Sequence, residues 1–283
     1  MTARVIVNRL WHHHFGKGIV DTPGNFGANG SRPTHPALLD WLAVQFMNRG
    51  WSAKDLHRMI MTSTSYRQRS SRTESRLASA PHLFDPENNL LWRMNLRRLD
   101  AEALRDSVIA TSGQANYAMG GPPVMLQATP SGLQILDNPE DLSRIRRSVY
   151  LLARRSNPHT FLRMFDYPII DVNCTHRSAS ATPLQSLALI NSEFLTTSAR
   201  HLARRAEALA GASASPAMKI QTAYGLTLAR SPSGSEIESG SQHLRRLEEL
   251  YLASGMAGAD AVRRSFENFA HMLLCSNEFL YVD

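Results

Sequence analysis

No run of about 18 uninterrupted apolar residues occurs anywhere in the chain, which argues against a membrane-spanning helix. Cysteine is almost absent. Cys174 and Cys275 are the only two, too few for a disulfide scaffold or for a structural zinc site built on sulfur. They either pair, closing a loop long enough to stabilise by about 4–5 kcal/mol in the chain-entropy model, or stay as free thiols. The familiar catalytic signatures are missing as well. There is no Gly-x-Ser-x-Gly, no His-Glu-x-x-His and no Cys-x-x-Cys, so the usual cues for a serine hydrolase or a zinc site are lacking. Gly16-Lys17-Gly18 is too short for a dinucleotide loop and follows a helical pattern instead of a strand. Lysine is scarce: of 31 basic residues only Lys17, Lys54 and Lys219 are lysines, and the other 28 are arginine.

What is present describes a folded chain. Its 283 residues are enough for a substantial core, and 43% hydrophobic with 19% charged residues exclude global disorder. The net charge is +7. Arginine offers a planar fork for carboxylate, sulfate or phosphate, although codon usage in a GC-rich genome produces the same bias. Arg204-Arg205, Arg245-Arg246 and Arg263-Arg264 recur on helical stretches beside glutamates, as solvated faces do. Arg144, Arg146, Arg147, Arg154 and Arg155 form a denser cluster suited to an anionic ligand. It carries no recognisable nucleic-acid motif, so nucleic acid is not an expected partner.

Helical periodicity dominates. Ala3, Ile6, Val7, Leu10, Trp11 and His14 fall on one stripe and predict a helix over 2–15. A second helix is expected from Pro36 to Gly50, with Leu39, Leu42 and Phe46 inward. Ser52-Ala53-Lys54-Asp55 resembles a capping box, with Trp51 placed to staple onto Leu56. Residues 67–82 lack any period and read as an exposed loop or boundary. Asp85-Pro86 suggests a short helix to Met94, and a longer one runs from Leu99 to Ser112, closed by Gly113. Residues 114–146 are rich in Pro and Gly and read as an irregular excursion, followed by a short strand at Val149-Tyr150-Leu151-Leu152. Thr182-Pro183-Leu184-Gln185, Ser215-Pro216 and Ser233-Gly234-Ser235-Glu236 open three more helices, and the last spans about 259–275. The four tryptophans lie in or beside these stripes and read as core. The expected fold is mainly α: an irregular helical bundle with long loops and at most a few short strands. It reads as one helical domain with two lobes, 1–113 and 147–283, joined by 114–146.

The residues able to carry chemistry are scattered. Successive side chains of His12-His13-His14 point about 100° apart on a helix and cannot converge on one ion, so no metal site is expected. Polar residues in apolar settings stand out more: Arg4, Asn8 and Arg9 on the first helix, Asp40, then Arg98, Arg105 and Asp106, then Asp166, Asn173, Arg177 and Gln185. Buried charges require partners. If these segments pack together, an arginine–aspartate network follows, either as internal struts or as an anion pocket. Arg4, Asn8, Arg9, Arg98, Arg105 and Arg177 are the candidate ligand-binding residues, and His13, Asp40 and Asp166 the candidate acid–base groups.

A family resemblance adds to this reading. Thr2-Ala3-Arg4-Val5-Ile6-Val7-Asn8-Arg9-Leu10-Trp11, Pro33-Thr34-His35-Pro36, Leu39-Asp40-Trp41-Leu42, Asp85-Pro86-Glu87-Asn88, Arg98-Leu99-Asp100-Ala101-Glu102, Met119-Gly120-Gly121-Pro122, Arg147-Ser148-Val149-Tyr150, Thr182-Pro183-Leu184-Gln185 and Ser276-Asn277-Glu278-Phe279-Leu280 follow in order along nearly the whole chain. In these stretches it resembles the planctomycete-type domain of unknown function 1553. The resemblance implies a place in large secreted or periplasmic proteins, behind a second uncharacterised domain and often a haem-binding cytochrome c-like segment. It also implies a genomic setting beside sulfatase-like proteins, hence extracytoplasmic polysaccharide breakdown. It supplies no catalytic residues. Cys-x-x-Cys-His is absent here, so haem is expected only in an upstream domain and no cofactor in this chain. No signal-peptide pattern opens the sequence, and the helical pattern beginning at residue 2 suggests further domains upstream. The leading functional expectation is an extracytoplasmic helical domain that binds or processes anionic (sulfated or carboxylated) polysaccharide. The alternative is a non-catalytic scaffold docking a cytochrome c-like domain or another partner protein through 67–82 and 114–146.

Overall fold

The structure, a computed structural model, describes residues 1–70, 81–138, 141–168, 174–177, 179–211 and 213–282, with Pro81 and His82 described by backbone alone. Asn173 and residues 71–80 of the expected 67–82 loop lie outside the described residues. The chain is mainly α and divides into two compact units, Met1–Arg97 with the last two residues, and Arg98–Tyr281.

In the first unit α1 (Thr2–Phe15) and α2 (Pro36–Asn48) pack against each other and against α3 (Ala53–Met61), and a short α4 (Pro81–Phe84) follows. Ala3, Val7 and Trp11 of the expected stripe are buried and Ile6, Leu10 and His14 part-buried; with Phe15, which the stripe did not include, they face Leu39, Leu42 and Phe46 of α2 and Leu56 and Ile60 of α3. Gly16 ends α1 in the left-handed region, φ 78°, where glycine is strain-free. Gly18 is needed for space: a Cβ there would stand 2.4 Å from the Val20 carbonyl. Ser52 caps α3 by accepting the Asp55 N–H. Trp51, in contrast, rests edge-on against Phe46. Trp41 and Trp51 are 52% and 46% exposed, so the core reading of the tryptophans holds for Trp11 and fails for these two.

The helix expected from Asp85 to Met94 does not form. The Asp85 carboxylate accepts the Asn89 and Leu90 N–H groups, while Asn88 and Leu91 take left-handed backbone angles of 53° and 55°. These local bonds satisfy the backbone in turns and outcompete the helix.

The second unit opens with α5 (Ala101–Thr111), whose Leu104, Val108 and Ile109 enter this unit's core. The division therefore falls at Arg97/Arg98 instead of within 114–146, because the burial of α5 assigns residues 98–113 to the larger unit. The irregular excursion contains an antiparallel pairing of Leu126–Ala128 with Gln134–Leu136, and 3₁₀ turns at Leu142–Arg144 and Ser148–Tyr150. The strand expected at Val149–Leu152 is thus a 3₁₀ turn leading to a single parallel bridge between Leu151 and Val124. Helices α6 (Thr160–Met164), α7 (Pro183–Asn191), α8 (Glu193–Ala210), α9 (Pro216–Leu228), α10 (Gly234–Ala253), α11 (Gly258–Leu274) and α12 (Asn277–Leu280) complete the unit. Both capping boxes, Thr182/Gln185 and Ser233/Glu236, are formed. Helix α11 packs on α8 and α10 through Phe266, Phe269 and Leu273. Gly240 lets α10 come close, since a Cβ there would touch Ile220 and Phe269 at 3.1 and 3.2 Å.

Candidate functional site

Helix α5 carries Glu102, Arg105 and Asp106 three and four residues apart, a spacing that sets helical side chains next to each other. Arg105 is 1% exposed. Its Nη1 donates to the Arg146 carbonyl at 2.9 Å and the Ser148 hydroxyl at 3.2 Å. Asp106 Oδ1 accepts the Ser148 N–H and hydroxyl, both at 2.7 Å, and lies 3.5 Å from Arg105 Nη1. The Ser148 hydroxyl thus accepts from the cation and donates to the anion, so the buried pair is solvated by the protein. Burial pulls the Arg105 pKa down to about 10, with Asp106 opposing the shift, and the guanidinium remains charged at neutral pH.

Arg177 closes on Glu102 with both terminal nitrogens and reaches toward Asp100 at 3.7 Å. The hydrogen bonds to Glu102 are the main cause of its raised pKa. Beside this, Arg98 donates to the Ser180 carbonyl and to Gln185 Oε1, stacks over Phe165 and stands 3.8 Å from Asp166. Asp166 accepts from the Ser180 N–H at 2.8 Å, the Ser180 hydroxyl at 2.8 Å and Gln185 Nε2 at 3.2 Å. Burial works against its ionisation, but the bonds from Ser180 and Gln185 and the charge of Arg98 outweigh that and lower its pKa. Arg98, Asp100, Phe165 and Asp166 line a cavity with room for little more than one water.

The arginine cluster of the excursion resolves into separate roles. Arg146 is buried and donates to the carbonyls of Ala118, Gly120 and Pro122 while lying over the Tyr150 ring. Arg144 pairs with Asp137 and Asp141, Arg147 approaches Asp106, and Arg154 and Arg155 are exposed. Arg105 Nη2, Arg146 Nε and His159 Nδ1 are among the buried side-chain atoms that find no hydrogen-bond partner. Burial first, and the Arg105 charge second, push the His159 pKa down to about 3, so this imidazole is neutral.

In the first unit Arg4 pairs with Asp40 at 2.6 Å on the surface, and Arg9 and His13 are exposed. Asn8 is fully buried. Its amide donates to the Val20 carbonyl at 2.9 Å and its oxygen accepts the Val20 N–H at 2.8 Å, closing the loop after α1. His14 Nε2 lies 2.7 Å from His57 Nδ1 with Tyr66 edge-on, and burial, then His57, Arg97 and His13, lowers its pKa.

The structure therefore brings Arg98 to Asp166, Arg105 to Asp106, Arg177 to Glu102 and Arg4 to Asp40, each as an ion pair, while Asn8 serves the backbone. Both oxygens of Asp166 accept hydrogen bonds from within the protein, from Ser180 and Gln185. Sequence reasoning missed Glu102, Ser148 and His159. Glu102 was open to discovery through its i, i+3, i+4 spacing to Arg105 and Asp106; nothing local marks His159. Among the described residues no three His, Cys, Asp or Glu side chains gather to hold a metal ion, and no helix is long and apolar enough to cross a membrane.

No curated protein and no solved structure matches the chain. The model of one family, PSD1, protein of unknown function (DUF1553), matches residues 1–244, and the chain belongs to that family.

Proposed function

We propose that the chain is a non-catalytic scaffold that docks a partner protein through the excursion at 114–146. One observation carries this reading. The buried Arg146 guanidinium holds the carbonyls of Ala118, Gly120 and Pro122, and the loop so fixed presents Tyr117 and Met119, the latter 88% exposed. An apolar knob on a backbone bolted from beneath binds without a large ordering cost. The Arg105 and Asp106 side chains of α5 support the same reading, since they secure the excursion at Arg146 and Ser148. A cytochrome c-like domain, expected from the family setting, is the partner to try first. Pull-down of such a domain by the wild-type chain, lost in Met119→Asp and Tyr117→Asp, is the expected outcome. A chain that stays monomeric and indifferent to that domain removes it as the partner, and Asp variants that bind as well as wild type remove the excursion as the docking face.

A second reading, binding of anionic polysaccharide outside the cytoplasm, is favoured by a different observation. Trp41 and Trp51 are exposed, and Trp41 follows Asp40, the partner of Arg4, on the same helix. An exposed indole offers a flat apolar face to a sugar ring, and surface arginine suits its acidic group. Isothermal titration with sulfated glycans tests it, and the absence of heat at millimolar ligand counts against it.

A further inference from the structure

Helices α8, α10 and α11 enclose a groove of about 340 Å³, open mouth included, lined by Arg200, Tyr251, Arg264, Glu267, Asn268 and His271. At its base is Glu267, whose side chain is 8% exposed. A buried carboxylate requires cationic partners, and this one has three arginines within reach. Arg264 Nη1 donates to it at 3.1 Å, Arg263 approaches at 3.8 Å and Arg200 at 4.0 Å. Only the first distance is a hydrogen bond. Arg263 takes Asp260 at 2.8 Å as its principal partner, and Glu248, the nearby acid of α10, accepts the Ser265 hydroxyl at 3.4 Å. Neither acid neutralises Arg200.

Arg200 therefore makes no hydrogen bond among the described residues, and Arg264 makes the single one to Glu267, although each guanidinium carries five N–H donors. Glu267 bonds the Arg264 fork and lies 4.0 Å from the Arg200 Nε, so two guanidiniums from different helices meet at the same groove. The other walls complete the pattern. Tyr251 accepts from Asn268 Nδ2 at 3.0 Å, which leaves its own hydroxyl proton to donate. His271 Nε2 is 2.9 Å from the Leu189 carbonyl. A carbonyl only accepts, so Nε2 carries a proton and donates it.

We infer that this groove binds a small oxyanion, a carboxylate, sulfate or phosphate group, gripped by Arg200 and Arg264, with Glu267 as the positioning residue that sets their forks. Two planar guanidiniums match an oxyanion's lone pairs better than a point charge does. The site stands whether or not the excursion docks a partner.

The test follows thermal unfolding of the whole chain against sodium sulfate, sodium phosphate and sodium galacturonate, each compared with sodium chloride at equal ionic strength. A saturable rise in Tm with at least one of the three is expected, and the one that saturates lowest identifies the group. Arg200→Gln and Arg264→Gln should weaken that apparent affinity by about ten-fold or more. Arg154→Gln, remote from the groove in sequence and exposed, should behave as wild type. No saturable rise above the chloride control, or wild-type affinity in Arg200→Gln, overturns the site. An equal loss in Arg154→Gln also overturns it, by showing diffuse charge attraction instead of a groove.

Discussion

Arg177 holds Glu102 in a two-pronged grip, Nη1 to Oε2 at 2.7 Å and Nη2 to Oε1 at 2.9 Å. The planar fork fits the planar carboxylate, and both side chains are part-buried. Arg177→Ala should lower the unfolding free energy by about 1 kcal/mol, and Arg177→Lys, which keeps the charge but offers one point contact, should recover less than half of it. Urea unfolding of the three proteins decides the matter. Full recovery by lysine would mean that charge alone counts.

Arg105 is the more consequential strut. Its removal leaves the Arg146 carbonyl and the Ser148 hydroxyl without their donor inside the core. Arg105→Ala should cost about 3–5 kcal/mol, whereas Arg105→Met, which refills the volume with apolar atoms, should cost distinctly less. Denaturant midpoints measure both. An alanine variant within about 0.5 kcal/mol of wild type would remove Arg105 from any structural role.

His159 makes stability depend on acid. Its folded-state pKa of about 3 lies below the usual 6.5, so between those values the unfolded chain binds a proton that the folded chain refuses. Stability from this group is complete above pH 6.5 and falls as the pH drops toward 3, by up to about 1.4 kcal/mol per pH unit. His14 and His201, also lowered mainly by burial, act in the same direction. His159→Gln should flatten the wild-type pH profile over that window. Superimposable profiles for the two proteins would refute the assignment.

Both cysteines are free thiols, Cys174 exposed and Cys275 half-buried. Burial pushes the Cys275 pKa up to about 11, so at mildly alkaline pH little of it is the reactive thiolate. Mass spectrometry during iodoacetamide treatment should show one adduct, on Cys174, well before a second. The second should appear promptly only once denaturant is added. Equal labelling rates, or no labelling without a reductant, would contradict this.

The elements that local patterns specify were readable in advance. The stripe of α1 and the Thr182/Gln185 and Ser233/Glu236 boxes involve residues within a few positions of one another, and they form as expected. The stretch 86–94 misleads for an equally local reason. Asp85 and Asn88 bond to nearby backbone groups in turns as readily as they would start a helix. The ion pairs depend on distant encounters, 43 residues between Arg105 and Ser148 and 75 between Arg177 and Glu102. Residue types alone could nominate Arg98, Arg105, Asp166 and Arg177 as a buried network. They could not say which loop each would meet, because an irregular segment has no period to extrapolate. Asn8 shows the same limit: a buried amide beside Trp11 looks like a ligand group until Val20 folds back onto it.

Glu102, Arg105 and Asp106 occupy adjoining turns of α5 and latch two stretches of the chain: Glu102 takes 177, while Arg105 and Asp106 share 146–148. A single helix thus acts as a locking bar for otherwise unpatterned coil. If α5 were to rotate or shift by one turn, its bonds to residues 146–148 and to 177 would release together.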